Sequence, residues 1–93
     1  RGVIDIAYNA AELCAKGCLC LKLQRLPATH KGVIQKFSEY YVKTDILERE
    51  VGKKLARGLR YRNLARYEKG VKITKTQADE MVELAIILQK FLE

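Results

Sequence analysis

Residues 74–92 read TKTQADEMVELAIILQKFL, and this stretch decides the fold class. Its apolar side chains recur every three or four residues, which is the period of one face of a helix. Thr74 and Gln77 have the spacing of a capping box, which satisfies free backbone amides at a helix start. We therefore predict an amphipathic helix. Its inner face comprises Ala78, Met81, Ala85, Leu88 and Leu92.

The same spacing predicts a first helix, about Val3 to Arg25. Gly17 lies within it and costs about 1 kcal/mol relative to alanine. Pro27 should end this helix, because the residue before a proline is pushed out of the helical region. Its inner face comprises Ile4, Ala7, Ala11, Cys14, Cys18 and Leu21.

Two shorter patterns predict the second and third helices. Thr29 can cap the second helix. Residues 43–45 form a predicted turn, in which Thr44 or Asp45 caps the third helix. The third helix should reach Tyr67, and Gly70 lies where a helix stop is expected. The inner faces comprise Val33, Ile34, Phe37 and Tyr41 in the second helix, and Val51, Leu55 and Leu59 in the third.

Four helices with short links predict an all-α fold, an antiparallel up-and-down four-helix bundle. No strand-like alternation exceeds three or four residues. The length of 93 residues fits one domain, residues 1–93. The chain begins at Arg1 without a methionine and enters an apolar pattern almost at once. That start is compatible with a chain lacking the N-terminal residues of a longer protein.

The composition is globular, with 48% hydrophobic residues and an excess of basic ones, giving a net charge of +7. This excess favours a polyanionic partner such as RNA, DNA, a nucleotide or an acidic protein. A basic surface without a specific partner has the same composition. No signal peptide or membrane span is recognisable, and three cysteines without a secretory signal indicate a reducing compartment, here the cytoplasm.

The sequence offers few alternatives for chemistry. Cys14, Cys18 and Cys20 have no histidine at zinc spacing, which favours buried packing and predicts no metal. No phosphate-binding glycine loop is present, and we predict no cofactor. His30, the only histidine, should cap or pack in the second helix, and only the fold could bring it to Arg62.

Arg62 is the main candidate for function, because it follows Leu59 on the apolar face of the third helix. A guanidinium there needs a paired carboxylate or a cleft, and it should be at least half buried. One interpretation is an ion pair between helices, and the other is a phosphate clamp. Basic residues interleaved with Tyr61 and Tyr67 surround it, a pattern that suits single-stranded nucleic acid or a solvated helix face. The predicted ligand-binding residues among them are Arg57, Arg60, Arg66 and Lys69.

Several segments resemble the HEPN family (higher eukaryote and prokaryote nucleotide-binding domain), and in particular its short prokaryotic branch. They are residues 7–11 (AYNAA), 29–37 (THKGVIQKF), 41–44 (YVKT) and 62–67 (RNLARY). The resemblance implies a helical bundle, frequent homodimers and pairing with a minimal nucleotidyltransferase.

In many members an arginine, a polar residue and a nearby histidine form a ribonuclease site at a dimer cleft. Arg62 and Asn63 match the first two, but the histidine position is Tyr67. An unperturbed tyrosine pKa near 10 suits proton transfer poorly at neutral pH. The resemblance therefore leaves open whether the chain is an enzyme, with Arg62, Asn63 and Tyr67 as its catalytic candidates.

Three hypotheses follow. The first is a HEPN-like module that binds a nucleotide or RNA and partners a nucleotidyltransferase, with Arg62 and Asn63 on phosphate or ribose and Tyr67 stacking or hydrogen bonding. The second is a metal-independent ribonuclease, the toxin of a toxin–antitoxin pair, in which Arg62 stabilises the phosphorane and Asn63 orients the 2′-hydroxyl. The third is a non-catalytic dimerisation or scaffold domain.

Overall fold

The computed structural model describes residues 2–68, 70 and 72–93. Within them lie four helices: α1 (Gly2–Cys20), α2 (His30–Phe37), α3 (Arg49–Tyr67) and α4 (Lys75–Leu92). A π-helical turn, Ser38–Val42, continues α2. None of the described residues forms a strand, which confirms the all-α prediction. The short connections and the packing of α1 against α2, α3 and α4 fit the up-and-down bundle.

The core lies where these helices meet, and α1 packs most extensively against α4. The predicted inner faces supply much of it, including Phe37, Leu55 and Leu88. Burying a side chain of this size contributes about 1.5–3 kcal/mol, so these contacts dominate the stability of the bundle. The spacing argument did not identify further core residues, namely Tyr8, Ala15, Leu19 and Leu84.

The predicted end of α1 is wrong. The helix ends at Cys20 rather than near Arg25, and Leu21 is exposed instead of buried. The physical reason lies in the π-helical turn, where the hydroxyl of Tyr41 donates a hydrogen bond to the carbonyl of Cys18. Tyr41 therefore caps the C-terminus of α1, well before Pro27 could terminate it.

Two of the predicted caps are confirmed. Thr29 Oγ1 accepts a hydrogen bond from the amide of Gly32 over 2.9 Å at the start of α2. Thr74 and Gln77 form both bonds of the capping box of α4. Because these bonds satisfy free amides, each helix begins where the sequence predicted.

The predicted cap of α3 is wrong. The helix begins at Arg49 after Glu48, and neither Thr44 nor Asp45 caps it. Thr44 Oγ1 instead bonds back to the carbonyl of Tyr40 over 2.8 Å, and Asp45 adopts a left-handed φ of 62°. The turn is therefore longer than predicted, because its polar side chains stabilise the end of the π-helical segment. α3 ends at Tyr67 as predicted, and Gly70 has a φ of 81°.

Gly58 lies where α3 packs tightly against side chains of α1 and α4. A methyl group there would overlap the side chain of Met81 and lie 3.1 Å from Cδ1 of Tyr8. The absence of a side chain lets α3 approach α1 and α4 closely, one turn before Arg62. No helix within the described residues is long and apolar enough to cross a membrane.

Candidate functional site

Arg62 lies on the inner side of α3 and is only 8% exposed, which confirms the predicted burial. Its Nη1 donates a hydrogen bond to Oδ1 of Asn63 over 3.2 Å. Among the described residues, Nε has no hydrogen-bond partner and no carboxylate lies within ion-pair distance of the guanidinium. A buried charge with this little compensation is costly, which is typical of a side chain kept for function.

Tyr8 of α1 is a buried tyrosine whose pKa is affected by the charge of Arg62. The phenol is fully buried, and its hydroxyl has no hydrogen bond of good geometry to a described residue. Burial raises the pKa of Tyr8 above its ordinary value, and the nearby carboxylate of Glu12 raises it further. The charge of Arg62 acts in the opposite direction and lowers the pKa of Tyr8. Tyr8 therefore stays neutral and lies within the electrostatic reach of both charged groups.

Glu12 is a buried carboxylate that joins α1 to the start of α2. Its Oε2 lies 2.6 Å from Nδ1 of His30, and its Oε1 lies 3.4 Å from Nζ of Lys16. The side chain of Glu12 is 5% exposed, whereas that of His30 is 45% exposed. The imidazole also packs edge-on against Tyr8, with ring centroids 6.2 Å apart. His30, Glu12 and Tyr8 thus lie together where α1 meets the start of α2.

A groove of about 570 Å³ runs between α2 and α3. One end of it is lined by Asn63 and by Tyr67, whose side chain is 74% exposed. Lys31 and Arg60 line it as well, and Glu68 is its one acidic residue. The three predicted site residues therefore do not all line the groove. Asn63 and Tyr67 face it, whereas Arg62 lies behind Asn63.

A second hollow, of about 580 Å³, extends the groove along the same two helices. The two hollows share Ile34 and Ala56 in their walls and therefore adjoin each other, and together they are called here the α2–α3 groove. The extension adds three basic residues and one acidic one. They are Lys43, Arg49, Lys53 and Asp45.

The HEPN domain family matches the chain over residues 2–93, nearly its whole length. This chain belongs to the HEPN family. Membership is consistent with a function related to nucleotides or RNA. Comparison with curated proteins and with solved structures found no match.

The predicted ligand-binding residues occupy different surroundings in this HEPN domain. Arg60 lines the α2–α3 groove. Arg57 instead pairs with Glu80 of α4 over 3.2 Å and with Glu50 over 3.6 Å. Desolvation lowers the pKa of Arg57, but the hydrogen bond and charge of Glu80 together with the charge of Glu50 outweigh it, so the pKa is raised.

Arg66 is also paired, since its Nε donates to Oδ1 of Asp5 in α1 over 3.1 Å. That bond is the main reason why its pKa is raised. Arg57 and Arg66 therefore join α3 to its neighbours, and neither lines the groove. Lys69 lies outside the described residues.

Sequence reasoning did not identify Tyr8 and Glu12 as part of the site. Glu12 follows Tyr8 by four residues, which places both on the same face of α1. The signal that could have identified Glu12 is a carboxylate at a core-facing position of a helix whose inner face is otherwise apolar. A buried carboxylate needs a partner. His30, the only histidine of the chain, was the natural candidate for the partner of Glu12.

The three cysteines differ in surroundings and are free. Cys18 is buried, Cys20 is exposed, and the exposure of Cys14 is intermediate. Burial raises the pKa of the Cys14 and Cys18 thiols. No three His, Cys, Asp or Glu residues of the described part of the chain are grouped to hold a metal ion.

Proposed function

We propose that this HEPN domain binds single-stranded RNA in the α2–α3 groove. The observation that carries the proposal is the lining of the groove: five cationic side chains, two carboxylates and one exposed tyrosine. Cations pair with phosphates, and an exposed aromatic ring provides a stacking platform for a base. Asn63 offers an amide to a phosphate, a ribose hydroxyl or a base edge.

The shape of the groove favours a strand over a mononucleotide. Cationic residues recur along both joined hollows, from Lys31 and Arg60 to Arg49 and Lys53. A single nucleotide would engage only one of these hollows, whereas successive phosphates of a strand can engage both. In this proposal Tyr67 stacks on a base, Arg60 and Lys31 pair with phosphates, and Arg62 holds Asn63 toward the ligand.

The test compares Arg60→Ala with Lys90→Ala. Both residues are exposed, neither forms an ion pair with a described residue, and only Arg60 lines the groove. Binding of a fluorescent mixed-sequence RNA is followed by anisotropy. Loss of a charge-assisted phosphate contact should weaken binding by about 1–3 kcal/mol in Arg60→Ala and much less in Lys90→Ala. Equal effects would indicate general attraction by the net charge, and no binding at all would favour the scaffold alternative.

We also propose that the domain forms a homodimer through α1 and α4. These helices expose large apolar side chains on one face, including Val3, Ile6 and Ile86, around an apolar hollow of about 300 Å³. This hollow has no charged residue in its lining. Two copies that each carry a charge of +7 repel each other least at such a face, and an isologous contact would cover both apolar surfaces.

Ile6→Glu and Leu21→Glu test the dimer. The two residues are similarly exposed, at 72% and 76%, but only Ile6 lines the apolar hollow. Light scattering should show a dimer for the wild type and for Leu21→Glu, and a monomer for Ile6→Glu. A monomeric wild type at high micromolar concentration would refute the dimer.

Finally, we propose that a minimal nucleotidyltransferase is the cytoplasmic protein partner, on the basis of family membership. A nucleotidyltransferase gene beside the gene of this chain would support the pairing. Co-expression and co-purification of the two proteins as a stoichiometric complex is the test, and separate elution would contradict it.

A further inference from the structure

We infer that Glu68 recognises the base that stacks on Tyr67, and that the domain prefers single strands with a guanine at this position. Guanine recognition rests on the proposed RNA binding in the α2–α3 groove. The residue that points to it is one that phosphate binding does not explain. Glu68 is a carboxylate at an end of the groove where the other charged residues, Lys31 and Arg60, are cationic.

Glu68 has no structural partner among the described residues. It is exposed and forms no ion pair with any of them. It directly follows the last residue of α3, where the helix dipole is negative and a carboxylate is unfavourable. The phosphates of a bound strand also repel a carboxylate. Glu68 therefore stabilises neither the helix nor the RNA backbone, and a base is the part of the strand that it can bind.

The backbone places Glu68 beside Tyr67. The amide of Glu68 donates a hydrogen bond to the carbonyl of Leu64 over 3.1 Å, which fixes the residue at the end of α3. Tyr67 is the last residue of this helix, and its ring and the carboxylate line the same hollow. Asn63 lines that hollow one helical turn earlier. A base stacked on the ring therefore has a carboxylate and an amide near its edge.

Guanine is the base whose edge best matches a carboxylate. Its Watson–Crick edge carries two adjacent donors, N1–H and the N2 amino group, and the two carboxylate oxygens can accept both at once. Adenine and cytosine carry one amino donor beside a ring nitrogen that is an acceptor and repels the second oxygen. Uracil carries one N–H between two carbonyl groups. Proteins that bind single-stranded RNA commonly stack a base on an aromatic ring and hydrogen bond to this edge.

The two hollows of the groove differ in a way that fits this assignment. The described lining of the hollow at Tyr67 combines the aromatic ring with two side-chain amides, Gln35 and Asn63. The described lining of the second hollow has no aromatic residue and contains three cations. In this scheme the first hollow holds a base and the second holds backbone phosphates. Asp45, the carboxylate of the second hollow, is therefore the matched control for Glu68.

Three fluorescent RNA strands of about ten nucleotides separate base recognition from charge. One contains only uridine, the second has a single central guanosine, and the third has inosine there, which keeps N1–H but lacks the N2 amino group. Anisotropy titrations give the Kd of each strand. We expect the wild type to bind the guanosine strand at least about fivefold more tightly than the uridine strand, as for a bidentate base contact. The inosine strand should lie between the two.

Glu68→Gln tests the residue, and Asp45→Asn is its control. Both changes remove one negative charge from the groove, and asparagine tolerates the left-handed φ of 62° at position 45. Glu68→Gln should bind the guanosine and uridine strands equally, because glutamine replaces one acceptor oxygen with a donor. Asp45→Asn should bind both strands more tightly and keep the preference.

The Kd ratio of the uridine strand to the guanosine strand decides the outcome. A wild type without the preference, a Glu68→Gln variant that keeps it, or an equal loss in Asp45→Asn would overturn guanine recognition and leave the proposed RNA binding intact. Absence of binding to all three strands would refute both.

Discussion

Arg62 and Asn63 are neighbours in the chain that face opposite environments and are still hydrogen bonded to each other. Arg62 is buried, Asn63 is exposed at the groove, and Nη1 of Arg62 lies 3.2 Å from Oδ1 of Asn63. An exposed amide side chain is normally free to rotate. Here the guanidinium fixes which face of the amide points to solvent, leaving the NH₂ group available to a ligand.

The first prediction follows from this relationship. If Arg62 acts through Asn63, then Arg62→Ala and Asn63→Ala should each weaken RNA binding by about 1–3 kcal/mol. The double variant should bind RNA no more weakly than either single variant. Anisotropy titrations of the four proteins give the coupling energy. Additive losses would show that Arg62 contacts the ligand independently.

Thermal unfolding of Arg62→Ala provides the second part of this test. No described carboxylate pairs with Arg62, so its removal should leave no stranded charge. We expect a loss well below the roughly 3–5 kcal/mol that breaking a buried ion pair costs. A large loss with unchanged RNA affinity would instead favour a structural role.

Tyr67 should contribute to binding through its ring. The side chain is 74% exposed at one end of the groove. Tyr67→Ala should weaken binding of single-stranded RNA by about 1–3 kcal/mol, the range of a lost base–aromatic stack. Tyr67→Phe should bind nearly as the wild type does, and a Phe variant as weak as the Ala variant would point to the hydroxyl instead.

Gly58→Ala should destabilise the fold even though alanine favours helix. The added methyl group meets Met81 and Tyr8 in the core, and such overpacking costs about 1–3 kcal/mol. Gly17→Ala is the matched control, because its methyl group meets only the partly exposed side chain of Leu92, which can move. Urea unfolding should show a loss for Gly58→Ala and a gain of up to about 1 kcal/mol for Gly17→Ala.

The thiols should react in the order of their exposure. Cys20 is exposed, whereas burial raises the pKa of Cys18 and so lowers its thiolate fraction near neutral pH. Iodoacetamide labelling of the folded protein, followed by peptide mass analysis, should therefore modify Cys20 first and Cys18 last. Denaturation should abolish the difference, and early labelling of Cys18 would contradict its burial.

Helical periodicity predicted most of the fold, because amphipathic spacing and helix caps depend on residues that are close together in the sequence. The capping box at Thr74 and Gln77 was found where the sequence placed it. The end of α1 could not be predicted in this way. It depends on Tyr41, which lies 23 residues beyond Cys18 in the chain and reaches it only through a π-helical turn.

The candidate site was predictable in part for the same reason. Arg62 was identified because it follows Leu59 at helical spacing, and its burial needed no tertiary information. The contact between Glu12 and His30 spans 18 residues and joins two helices, so no local sequence pattern predicts it. The ion pair of Arg66 with Asp5 spans 61 residues and could not be predicted from a local sequence pattern either.

The ion pairs of Arg57 and Arg66 have a consequence for counterion release. Carboxylates of α1, α3 and α4 already neutralise these two arginines, so RNA would displace few ions from them. Among the described residues, the cations that line the α2–α3 groove and would meet the phosphates of a bound strand are Lys31, Lys43, Arg49, Lys53 and Arg60. For a single strand, each phosphate contact contributes about −0.7 to the slope of log K against log salt concentration. Five contacts limit that slope to about −3.5, far shallower than the 18 basic residues of the chain would suggest.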